Sequence, residues 1–144
     1  MKINYSEILN KNLINVLKDV LFDISNNGLK EGHHLYITFY TNNNKTIIPD
    51  WLKDQFPEEM TIVIQYEYSN LQIFENKFNI SLSFNNIKAD LSIPFKTVIS
   101  FADPFANFGL KLKTKNRNQK NSVEKKSLIK KNNVIEFKKF KKLN

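Results

Sequence analysis

Residues 77–95 read KFNISLSFNNIKADLSIPF. Phe78, Ile80, Leu82 and Phe84 fall on alternate positions, with Asn79, Ser81 and Ser83 between them. Beyond Asn85-Asn86 the alternation resumes with Ile87, Ala89, Leu91, Ile93 and Phe95. A period of two with β-branched and aromatic residues marks a pleated strand with one face buried. Two adjacent asparagines tolerate positive φ and so close a tight hairpin. The stretch predicts the central hairpin of a small β-domain, and the place where a bound partner would lie.

Shorter strands surround the hairpin. Downstream, Thr97–Phe101 reads as a strand, Asp103-Pro104 as a turn and Phe108–Leu112 as a last edge strand. Upstream, Thr61–Tyr68 and Leu71–Phe74 meet at Ser69-Asn70, with Ile62, Ile64, Tyr66 and Tyr68 on one face. His33–Thr41 places Leu35, Ile37 and Phe39 on one side and ends in an asparagine turn. Between these runs, Pro49 and Pro57 restrict residues 48–60. There Asp50 can cap a single helical turn through Gln55, from which Trp51, Leu52 and Phe56 project. About seven short strands after one helix predict an α+β fold. The expected architecture is a small antiparallel barrel or sandwich with the helix at one end.

That helix is expected over residues 4–27. Tyr5, Leu9, Leu13, Val16, Leu17, Val20, Leu21 and Ile24 follow helical spacing. Asn4 with Glu7 is a weak capping box, and Gly28 supplies the stop. The apolar arc covers roughly half the circumference, against the ~100° stripe that one core contact needs. Either the helix is sunk deeply into its own domain, or it packs on that domain and on a second copy. On the second reading Leu13, Leu17 and Leu21 form the dimer helix.

Charge divides the chain. The formal net charge of +8 over 144 residues is not evenly spread. Residues 1–110 carry nine Lys against twelve Asp and Glu, a net −3, whereas residues 111–144 carry thirteen Lys and Arg against two Glu, a net +11. A folded nucleic-acid-binding domain carries its basic patch on its own surface, and this body is acidic. With no cysteine there is no disulfide framework, thiolate metal site or cysteine nucleophile, which fits a reducing cytoplasm. No apolar run approaches the roughly 20 residues of a membrane span, and the N-terminus does not read as a signal peptide.

Catalytic patterns are missing too. There is no glycine-rich phosphate loop, no GxSxG and no HExxH. His33 and His34 are adjacent on a strand and point to opposite faces, a poor chelate, so they are expected as an exposed strand start and not as a metal site. Asp50, Asp54, Glu58 and Glu59 show no isolation of one carboxylate in an apolar pocket, and read as capping and solvated groups. Ser81 and Ser83 have no histidine close in sequence. The chain reads as a non-enzyme that needs no cofactor.

From Lys113 to Asn133 the sequence is polar and lacks aromatics, the composition of a flexible basic linker. Apolar character then returns in VIEFKKFKK, residues 134–142. It is either a fraying end or a short docking peptide on a tether.

Three separated blocks, IPDWLKDQFPEEMTIVIQYEY, KFNISLSFNNIKADLSIPF and ISFADPFANFGLKL, resemble in order and spacing the stringent starvation protein B family, in its alphaproteobacterial branch. The likeness covers about residues 5–112. It implies an Sm-like barrel or sandwich after a helix. It also implies a homodimeric cytoplasmic adaptor of bacteria that binds the ssrA degradation tag and delivers tagged proteins to ClpXP. The expected organisation is a tag-binding and dimerisation domain over 1–112, a linker over 113–133 and a ClpX-docking peptide over 134–144. Tag contacts are expected at Trp51, Phe56, Leu82, Phe84 and Asn85. The tail resembles the family's docking motif at Val134, Ile135, Phe137, Phe140 and Lys141, whose partner is the N-terminal zinc-binding domain of ClpX. An RNA-associated Sm-like module with a basic tail is the alternative. It is disfavoured because the body is acidic and the tail lacks stacking aromatics until its last eleven positions.

Overall fold

The computed structural model describes residues 2–112. The linker and docking peptide expected beyond residue 112 lie outside the described residues.

A long helix, α1 (Tyr5–Asn27), precedes β1 (Leu35–Tyr40), a short helix α2 (Asp50–Gln55), β2 (Glu59–Ile64) and β3 (Tyr68–Ile73). Then come β4 (Lys77–Phe84), β5 (Ile87–Pro94), β6 (Val98–Asp103) and β7 (Phe108–Lys111), with single 3-10 turns at Phe95–Thr97 and Pro104–Ala106. The strands form two antiparallel sheets, ordered β2-β1-β6-β7 and β3-β4-β5. The fold is α+β, a sandwich of four and three strands and not a closed barrel.

The β4–β5 hairpin forms as its alternation dictates. Its register runs from Lys77↔Pro94 to Phe84↔Ile87 without a break. Asn85 and Asn86 take φ values of 52° and 68°, the pair of left-handed residues that matches the twist of a two-residue turn. Phe78, Ile80 and Leu82 on β4, and Ala89, Leu91 and Ile93 on β5, are buried. They meet Leu35, Ile37 and Phe39 of the other sheet in one core.

β1 departs from the expected one-sided strand. It lies between β2 and β6. Its second face carries a smaller cluster of Tyr36, Ala102 and Val63, so Tyr36 and Thr38 are buried as well. The predicted Thr61–Tyr68 strand also breaks. β2 stops at Ile64, Tyr66 is 81% exposed, and the chain crosses to the second sheet before β3 begins at Tyr68. β2 and β3 therefore do not form a hairpin. Each pairs with a neighbour in its own sheet, β1 and β4 respectively.

At the start of α1 the Asn4 Oδ1 accepts a hydrogen bond from the Glu7 amide at 3.1 Å, the capping role its position predicts. The helix ends where Gly28 takes a φ of 78° and donates its amide to the Ile24 carbonyl. Leu17, Leu21 and Ile24 are buried against the sandwich, with Leu13, Ile14 and Val20 packed beside them. Tyr5, Ile8, Leu9 and Val16 stay exposed. The helix is thus not sunk along its whole length. Leu17 and Leu21, expected on a dimer face, have no exposed surface and belong to the core of their own chain.

Candidate functional site

The segment between β1 and β2 carries two of the predicted site residues, Trp51 and Phe56, and polar contacts fix its path. Thr41 Oγ1 donates to the Phe56 carbonyl, and the Thr41 amide donates to the Glu58 carbonyl at 2.8 Å. The Thr46 hydroxyl donates to the Tyr40 carbonyl at 3.1 Å. Ile47 then makes a single antiparallel bridge to Ser92 on β5, exchanging both backbone bonds at 2.9 Å. Pro49 follows, which lacks an amide and cannot continue a ladder, and the chain turns into α2. Pro49 occupies the position that precedes the helix, and the Asp50 expected there is the first helical residue instead. Pro49 there is extended, with φ −58° and ψ 148°, and makes no side-chain capping hydrogen bond.

α2 buries Leu52 and leaves Trp51 and Phe56 each about one third exposed. Trp51 meets Phe84 edge-on, with ring centroids 6.3 Å apart and planes at 76°. Two of the five predicted contact residues are thus brought together from positions far apart in sequence. Edge-to-face aromatic pairs of this geometry contribute about 0.5–1.5 kcal/mol beyond their area burial. Phe84 is half-buried on the core face of β4. Leu82, on the same face, is 4% exposed, so it supports Phe84 from within the core and offers little surface of its own. Asn85 is exposed at the hairpin tip. Phe56 lies at the end of α2, in no ring contact with this pair among the described residues.

The edge of β5 beside this aromatic pair is open. Ser92 spends its amide and carbonyl on Ile47, so it points away from β4. In an antiparallel ladder the same orientation recurs at every second residue. Asp90 and Lys88 therefore aim their backbone groups outward as well. Among the described residues no strand pairs with β5 on that side beyond the one bridge. Both residues are exposed. An unpaired edge is a template for an added extended chain.

The outer face of β3-β4-β5 is polar and ordered. Ser81 donates to Asp90 Oδ1 at 2.6 Å, and Asn70 Nδ2 donates to the Ser81 oxygen at 3.1 Å. This chain links all three strands and directs the Ser81 hydroxyl to a carboxylate. A shallow depression of about 310 Å³ adjoins it, lined by Glu67, Tyr68, Ser69, Ser83 and Lys88 among others.

His33 is placed differently from the exposed strand start expected of it. Its Nδ1 lies 2.6 Å from Asp103 Oδ2, its ring sits 4.7 Å from that of Phe105, and β1 begins only at Leu35. The partner is seventy residues away, beyond what local pattern can reach. Among the described residues no cluster of three or more His, Cys, Asp or Glu is placed to hold a metal ion.

The residues of the site fall within a longer match. The family model for stringent starvation protein B matches residues 8–140, most of the chain. No curated protein matches it. Among the described residues no helix is long and apolar enough to cross a membrane.

Proposed function

The chain belongs to the stringent starvation protein B family, and from that membership we propose that it is an adaptor that binds ssrA-tagged proteins and tethers them to ClpXP. The observation that carries this reading is the single family match that runs through the sandwich and on to residue 140. It takes in Trp51, Phe56, Leu82, Phe84 and Asn85 and, in the tail, Val134, Ile135, Phe137 and Phe140.

In the proposed mechanism the tag is an extended peptide laid between α2 and the hairpin tip. Its backbone pairs with the outward groups of Lys88 and Asp90, and its apolar side chains rest on Trp51, Phe84 and Phe56. The exposed amide of Asn85 closes the end of the site. The tail, with Lys141, docks on the N-terminal zinc-binding domain of ClpX. Holding two partners on one tether raises their effective concentration to the order of mM for a short flexible linker. A second copy packs on the helix stripe of Tyr5, Leu9 and Val16 and doubles the number of tags and tails in one assembly. The chain itself makes and breaks no bond, and cargo proteins, ClpX and the second copy are its partners.

Fluorescence anisotropy with an ssrA peptide and a scrambled control tests tag binding. Trp51→Ala is expected to weaken it at least about tenfold, the scale of an aromatic anchor. Deleting residues 134–144 should leave that binding intact and abolish stimulation of ClpXP degradation. Delivery that survives this deletion at low adaptor concentration would remove the tethering mechanism.

A further inference from the structure

Another groove, larger than the depression on the outer face, lies away from the aromatic pair. It has a volume of about 1,040 Å³ and runs between the N-terminal half of α1, the 44–47 segment and the end of the β4–β5 hairpin that joins β3 and the 3-10 turn. Its charge is opposite to that of the body. Lys11, Lys18, Lys45, Lys77 and Lys96 line it, against Glu7 and Glu75. The rest of residues 1–110 holds four Lys against ten Asp and Glu. A net +3 is thus gathered around one concavity, while the remaining surface carries −6. Among the described residues none of these five ammonium groups is in an ion pair. A concave wall concentrates the field of such charges on whatever enters.

The groove also offers apolar surface. Ile8 and Ile47 line it and are 53% and 62% exposed. Its aromatic residue, Phe95, is 3% exposed and lies under the Lys18 ammonium, 5.2 Å from the ring centroid. That ring is unavailable to a nucleobase, and single-stranded nucleic acid draws much of its affinity from stacking on exposed rings. The chain's own tail, at +11, is repelled by the same charges. What fits is an extended peptide with carboxylates for the lysines and aliphatic side chains for the two isoleucines.

We propose that this groove is a second peptide-docking site, separate from the α2–hairpin cleft, selective for acidic and aliphatic segments of a partner protein. Its lysines steer the segment in and fix its register, and the isoleucines supply the contact that outlasts the encounter.

The full chain tests this with a fluorescein-labelled peptide of Glu and Ile spaced by Ser, a counterpart with Gln for Glu, and a single-stranded oligonucleotide of equal charge. The acidic peptide is expected to bind and to lose affinity at least about tenfold as salt rises from about 50 to 200 mM. The triple variant K11E/K45E/K96E changes exposed side chains only, so it should keep its melting temperature and bind the acidic peptide at least about tenfold more weakly. Trp51→Ala should leave this binding unchanged, which separates it from tag capture. Equal binding of the Gln peptide, preference for the oligonucleotide, or no binding of the acidic peptide overturns the proposal. A triple variant that alters only the oligomeric state also overturns it, in favour of a second copy as occupant.

Discussion

The two halves of α1 carry the same pattern and meet different surroundings. Toward the C-terminal end Leu17, Val20, Leu21 and Ile24 rest on the sandwich, and Leu17 and Leu21 have no exposed surface. From Tyr5 to Val16 a stripe of the same spacing faces solvent, with Tyr5 73% and Leu9 49% exposed. The core is wide enough to cover one half, and the helix overhangs it by more than two turns. Amphipathic spacing therefore tells which side chains favour cover, and leaves open what supplies it.

The largest effect separates the halves. Leu21→Ala removes a fully buried side chain from the core cluster that α1 shares with the sandwich. It should lower the unfolding free energy by about 2–5 kcal/mol, because the cavity adds to the lost transfer energy. Chemical denaturation followed by far-ultraviolet circular dichroism measures it. A loss under about 1 kcal/mol would mean the buried half is as weakly held as the overhang.

The same distinction governs how much could be read from the sequence. The β4–β5 hairpin was legible because strict alternation and Asn85-Asn86 agree, and both signals are local. The helix and its Asn4 cap were legible for the same reason. The break after Ile64 was not, because Tyr66 and Tyr68 prolong the apolar alternation while the chain changes sheets. The pairing of His33 with Asp103 was hidden because it depends on β1 and β6 becoming neighbours. At the site, the sequence indicated Trp51 and Phe84, and the fold brought their rings together. Leu82 shares the face of Phe84 and lies deeper, since alternation gives the face of a side chain and not its depth. The open backbone of Lys88 and Asp90 had no signal at all. It arises from Pro49, which ends the pairing begun by Ile47, and from the bridge that sets the parity of Ser92.

A smaller effect tests the overhang directly. Asn4→Ala deletes the cap on the Glu7 amide, a change of about 1 kcal/mol for an ordinary helix. Here the first turns have few tertiary contacts to lose, so the cost should appear as local fraying. Hydrogen exchange of the amides of residues 7–12 should speed severalfold, while the global denaturation midpoint moves little. A full shift of the midpoint without faster exchange would show that the overhang folds as one unit with the core.

The smallest effect on folding carries the most about association. Leu9→Ser alters a half-exposed side chain in the overhang, and single-chain stability should change by less than about 0.5 kcal/mol. If the Tyr5–Leu9–Val16 stripe is covered by a second copy, as proposed, the substitution puts a hydroxyl on each side of that contact. Sedimentation equilibrium should then show weaker self-association, and the melting temperature should lose its dependence on protein concentration, since binding stabilises only what it binds. The contrast with Leu21→Ala is the point of the test, because the two positions share a spacing and differ in their cover. Self-association that is unchanged in Leu9→Ser would assign the second copy to another surface, and a severe loss of single-chain stability would mean that the overhang packs on its own sandwich after all.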